Sequence, residues 1–141
     1  MNRIRVLSVL VALAIVALLA SDARAEKKAV KLEKEWTGSV EDEALAKDAP
    51  AVIGDAKALE RLWKAWKIEG KVPNVDFQKQ LVILTTTSGS KLRLSATLDD
   101  KGNLAVLGLG TRDLRPGVRY VIATVSREGI KTVNGKKLPN E

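Results

Sequence analysis

The chemistry open to this chain is limited first by what it lacks, because its 141 residues include neither histidine nor cysteine. That removes Ser-His-Asp and Cys-His nucleophiles, zincin helices, His/Cys zinc sites, haem ligation by His and thiol redox chemistry. No glycine-rich phosphate loop is present either. Three options survive: carboxylate acid–base chemistry, a Ser-Lys dyad and a carboxylate calcium site. Acid–base work needs two acids facing one cleft, whereas Asp99 and Asp100 are adjacent and point apart from a turn. Asp76, in Pro73-Asn74-Val75-Asp76-Phe77, borders an apolar run and is the better candidate. Its simpler role is to cap a turn through backbone amides. Ser88-Gly89-Ser90-Lys91 lacks the S-x-x-K spacing on a helix that Ser-Lys enzymes use, and reads as a loop. Asp99-Asp100-Lys101-Gly102-Asn103 lacks the alternating ligands and terminal glutamate of an EF-hand loop. Neither a catalytic residue, a metal nor a cofactor is therefore expected.

Binding residues are easier to find. Trp63 and Trp66 could form an aromatic platform, but beside Leu59 and Leu62 they complete one helical stripe and read as core. Trp36 is less constrained and could anchor a surface, with core the better reading. Arg93, Arg112, Arg115 and Arg119 flank the later strands and could line one basic sheet face. The formal charge is +7. From Glu26 to Thr85 the signs balance at 11 each, and from Thr86 to Glu141 there are 10 basic and 5 acidic residues. This asymmetry allows weak contact with a polyanion or lipid headgroups. Without interleaved aromatics it makes no specific nucleic-acid motif.

The elements that must position these residues follow from periodicity. Asp55 is a good N-cap for a helix from about Ala56 to Glu69, with Gly70 as the stop and Pro73 preventing resumption. Gln80 to Thr87 is a continuous apolar and β-branched run, expected to be a central strand covered on both faces. Leu92, Leu94, Ala96 and Leu98 alternate with polar residues, as in a half-buried strand. Further strands are expected at Trp36 to Val40 (an edge), Ala51 to Ile53, Leu104 to Leu109 and Val118 to Arg127, with an Asn134-Gly135 hairpin turn after them. Gly108 and Gly110 mark a bulge or close packing. The expected class is α+β, with one amphipathic helix packed on an antiparallel β-meander.

Residues 1–25 have the layout of a cleavable signal peptide: Arg3 and Arg5, an apolar run from Val6 to Ala20, then Ala23-Arg24-Ala25. The run is shorter than the roughly 20 residues of a spanning helix. Cleavage is expected between Ala25 and Glu26, giving a periplasmic or extracellular protein that meets a membrane only during export. Residues 26–48 read as a charged, frayed leader and residues 49–141 as one domain, stable without disulfides.

The helix with Leu62-Trp63, the segment Val75-Asp76-Phe77-Gln78-Lys79-Gln80-Leu81-Val82-Ile83, and the strand Tyr120-Val121-Ile122-Ala123-Thr124-Val125 together resemble the PrcB C-terminal-type domain. That family consists of small exported bacterial domains named from a lipoprotein subunit of a surface protease complex. The resemblance covers about residues 50–127. Where the family carries a Pro-Thr-Gly-Gly-Tyr-like turn after the central strand, this chain has Thr87-Ser88-Gly89-Ser90-Lys91. The resemblance implies an accessory role beside an exported or envelope protein. With the missing residue types, it favours a non-enzymatic interaction module over a polyanion or envelope-polymer binder. A carboxylate hydrolase around Asp76 comes third.

Overall fold

The computed structural model describes residues 26–139; the expected signal peptide and its cleavage site lie outside the described residues. Among the described residues, nine strands and two helices follow one another: β1 (Lys28–Ala29), β2 (Lys34–Val40), α1 (Glu43–Lys47), β3 (Val52–Ile53), α2 (Ala56–Ala65), β4 (Gln80–Thr87), β5 (Leu92–Leu98), β6 (Asn103–Gly110), β7 (Val118–Ser126), β8 (Thr132–Val133) and β9 (Lys136–Lys137). The α+β class holds. The strands form two sheets in place of one meander. One has four strands in the order β2-β7-β4-β3, the other five in the order β1-β5-β6-β8-β9. All pairs are antiparallel except β6 with β8.

Three layers result, with the four-stranded sheet in the middle. Its β4 sends Leu81 and Ile83 toward the five-stranded sheet, where they meet Leu94, Ala96 and Leu104 with Val121, Ala123 and Val125 of β7. Alternate residues Val82, Leu84, Tyr120 and Ile122 face the other way, onto Leu59, Trp63 and Trp66 of the α2 segment. Burial on both faces is why β4 reads as an unbroken apolar run. Fully burying a side chain such as Leu59 stabilises by about 1.5–3 kcal/mol.

Local chemistry sets the element ends. The Asp55 carboxylate accepts from the Ala58 amide at 2.7 Å, the expected N-cap. At the other end the helix stops earlier than Gly70. Lys67 takes a left-handed conformation (φ 51°), with its amide on Lys64 O at 3.2 Å and the Ile68 amide on Trp63 O at 3.0 Å. This is a Schellman closure with lysine where glycine is usual, and Ile68 folds back on the Trp63 cluster.

Residues 26–48 are not a frayed leader. Lys28–Ala29 pair with Leu98 and Thr97 in one sheet, and Lys34–Val40 pair with β7 in the other. Between them, Val30 and Leu32 pack on the core between the sheets. The Lys/Glu-rich composition hid these two apolar anchors and the long-range pairing that holds them.

The chain crosses between sheets four times, once through residues 88–91 and once through 111–117. Gly108 and Gly110 are sites of close packing rather than a bulge. A Cβ on either would collide with the hydroxyl oxygens of Thr85 and Thr87, so their absence lets β6 lie close against β4.

Candidate functional site

Strand β2 is an edge of the four-stranded sheet. It ends the order of its sheet and pairs along all seven residues with β7 alone. Among the described residues no strand pairs with its other side. Trp36 and Val40 turn toward α2, while Glu35, Thr37 and Ser39 on the opposite face stay exposed. The five-stranded sheet packs over β4 and β7.

A groove flanks this edge on each face. The first, about 590 Å³, runs beside Thr37, Ser39, Lys91, Leu92, Arg119 and Tyr120. The second, about 510 Å³, lies between β2 and the end of α2, beside Glu35, Trp36, Trp66, Lys67, Glu69 and Tyr120. Tyr120 reaches both. Its phenol sits beneath Gly38, where a Cβ would lie 2.5 Å from the hydroxyl oxygen, so only glycine leaves the edge this close to the ring. Burial pushes the Tyr120 phenol above its ordinary pKa and keeps it neutral. The ring lies 5.3 Å from that of Trp66, and Trp36 meets Trp63 edge to face at 5.9 Å.

The expected aromatic motif divides accordingly. Trp63 and Trp66 are buried, as their helical spacing implies, while Trp36 is half-buried and walls the second groove. Asp76 is a turn cap: its carboxylate accepts from the Gln78 amide at 3.1 Å, and its carbonyl from Lys79 and Gln80. Asp99 caps the β5–β6 hairpin, accepting from Lys101 and Asn103 at 2.9 Å.

The four arginines lie at one end of the molecule but do not line one sheet face. Arg119 is spent internally: its guanidinium donates to Pro116 O (3.1 Å), Gly117 O (2.5 Å), Arg115 O (3.2 Å) and Ser88 O (3.2 Å), pinning the loop 115–117. Arg115 pairs with Asp113 at 3.2 Å. Arg93 is exposed on the outer face of β5 opposite Leu109, and Arg112 is exposed in the 111–117 loop. A basic face drawn from sequence treats all four as available, whereas crossing between sheets turns Arg119 into a loop clamp.

Residues 88–91 form a polar lattice with that loop. Asp113 Oδ1 accepts from the Ser90 amide at 3.1 Å, and Thr111 Oγ1 accepts from the Lys91 amide at 3.1 Å and meets Ser90 Oγ at 3.3 Å. Hydrogen bonding from Thr111, then Ser90, with a smaller part from Arg115, holds the Asp113 carboxyl far below the usual carboxylate range. Ser90 and the backbone of Lys91 are bound into a loop anchor. Among the described residues no group of three or more His, Cys, Asp or Glu could hold a metal ion. No helix among them is long and apolar enough to cross a membrane.

The β2 trough was hard to read in sequence. Trp36-Thr37-Gly38-Ser39-Val40 signals an edge strand, but Tyr120 and Lys91 join it only through pairing and crossing far along the chain. In comparison with known proteins, no family model, curated protein or solved structure matches this chain.

Proposed function

We propose that this protein is a non-catalytic, exported interaction module that takes an extended segment of a partner protein as an added strand along β2. The observation that carries this reading is a free seven-residue edge with a groove on each face. Side chains of an added strand alternate between faces, so each groove would receive every second residue while backbone hydrogen bonds supply affinity. Natural edges are commonly blunted by charge, proline or bulges. Here Lys34 and Glu35 guard only the start, and Trp36 to Val40 is uncharged. The first groove, with Lys91, suits an acidic or polar side chain; the second, where Trp36 and Ile68 stand beside Glu35, Lys67 and Glu69, suits a side chain with an apolar stem and a polar end.

Export rests on the layout of residues 1–25, and the accessory role on the resemblance to PrcB C-terminal-type domains. The non-catalytic reading is supported by the work the candidate acids already do, with Asp76 and Asp99 engaged as turn caps. Selection of displayed peptides on the protein, followed by amide exchange, tests the reading. Bound peptides should slow exchange between Lys34 and Val40, and Thr37→Arg with Ser39→Arg should weaken them by at least about tenfold, equivalent to roughly 1.4 kcal/mol. Peptides that bind while β2 exchange stays unchanged would refute it.

A further inference from the structure

The outer face of the five-stranded sheet and its adjoining loop carry a separate feature, independent of the β2 edge. Leu107 and Leu109 point outward from β6 and remain 57% and 53% exposed. Leu109 lies opposite Arg93, one pair from the end of the β5–β6 ladder. Beyond that end, the 111–117 loop presents Leu114 at 87% exposure between Arg112 and Arg115.

Leu114 does not sit on a loose tip. The Ser90 amide binds Asp113, the Arg115 amide binds Ser88 O at 3.0 Å, and Arg119 clamps the carbonyls of residues 115–117. A braced loop that holds leucine out in water gains nothing from it inside the molecule, and such exposure marks a contact surface. The surrounding charge identifies the medium. In residues 88–93 and 111–117 there are four cations and one carboxylate: Arg115 pairs with Asp113, which leaves Lys91, Arg93 and Arg112 as the excess. Leucines ringed by cations match the boundary between anionic headgroups and acyl chains. A protruding side chain also fits a deformable surface better than a preformed pocket would require. Glu41, Asp42 and Glu43 follow β2, whose Val40 pairs with Val118 at this same end. Glu41 backs Gly117 of the loop and Glu43 borders Ser88, so these acids oppose contact on the side of the four-stranded sheet and leave the outer face of β5 and β6 as the side that meets the bilayer.

We infer that this end of the molecule docks on an anionic lipid surface, with Leu107, Leu109 and Leu114 entering the interface and Arg93, Arg112 and Arg115 meeting the phosphates. Because the chain has no cysteine, a single Leu114→Cys carries a polarity-sensitive dye cleanly. Lys101→Cys, in the hairpin at the opposite end, serves as reference. On phosphatidylcholine vesicles containing about 30% phosphatidylglycerol, the dye at 114 should shift to the blue and the dye at 101 should not. The shift should fade in about 0.5 M salt, and Arg112→Glu with Arg115→Glu should weaken partitioning at least about tenfold. The apolar N-terminal run of the full chain would act on neutral vesicles and on both labels alike, so it cannot imitate this pattern. Equal shifts at both labels, an equal shift on neutral vesicles, or no shift would overturn the inference. So would an equal shift with soluble polyphosphate, which would mark a polyanion site, or one growing with protein concentration without vesicles, which would mark self-association.

Discussion

The two sheets bury their residues differently, and the contrast organises the molecule. The four-stranded sheet is covered on one face by α2 and on the other by its neighbour, so Leu81, Val82, Ile83 and Leu84 are all buried. Among the described residues the five-stranded sheet is covered on one face only. Its β5 alternates Leu94 and Ala96 inward with Arg93, Ser95 and Thr97 outward. Its β6 breaks the usual pairing of apolar with inside: inward positions hold Gly108 and Gly110, while Leu107 and Leu109 face out. Stability is thus concentrated in the middle layer, while among the described residues β2 keeps an unpaired side and β6 an exposed outer face.

The largest effect should come from testing this contrast directly. Ile83→Ala, at the centre of the middle sheet, should cost about 2–5 kcal/mol in urea unfolding. Leu109→Ala, an outward leucine, should stay within about 0.5 kcal/mol. Comparable losses at both sites would show that the outer face of β6 is covered after all.

Closeness of the sheets can be probed next. Gly108→Ala drives a Cβ into Thr85 and should cost about 1–3 kcal/mol, by overpacking. Combining it with Thr85→Ala removes the hydroxyl that collides, so the double variant should be less destabilised than the sum of the two singles. Strict additivity would mean that β6 and β4 can move apart without cost.

A gain is expected at the end of α2. Lys67→Gly relieves a left-handed lysine and should raise stability by about 0.5–1 kcal/mol, without altering the Trp63 cluster. Thermal unfolding with tryptophan fluorescence reads both quantities. A loss of stability would show that the Lys67 side chain contributes more in the second groove than its backbone strain costs.

The smallest effect concerns the 111–117 loop and acid. Because the Asp113 carboxyl is held below its unfolded-state value, its anchoring is fully present above about pH 4 and lost as pH falls through the lowered value. Asp113→Asn should therefore speed exchange of the Ser90 amide near neutral pH, a difference that disappears in strong acid. A carboxylate that titrates with the other exposed acids by carbon-detected NMR would remove this account.

Much of the fold was legible locally. The Asp55 cap, the Leu59-Leu62-Trp63-Trp66 stripe, the continuous β4 run and the alternating β5 run depend on neighbours within one or two turns, and they formed as periodicity implies. The helix end was missed by a few residues because a lysine adopts the position glycine usually takes. The β2 edge was half legible: its strand character was visible, and its grooves were not.

By itself the sequence determined helix α2, the strands from β2 to β7 in outline, the α+β class, the Asp55 cap and the absence of histidine and cysteine chemistry. Only the tertiary structure decided that the strands split into two sheets, that residues 28–40 belong to both, that Arg119 is a clamp, and that β2 is left unpaired on one side among the described residues. The physical reason is range. Caps and periodic stripes are settled by energies between residues a few positions apart, whereas sheet membership depends on pairs such as Lys34 with Thr124, for which composition leaves no local mark.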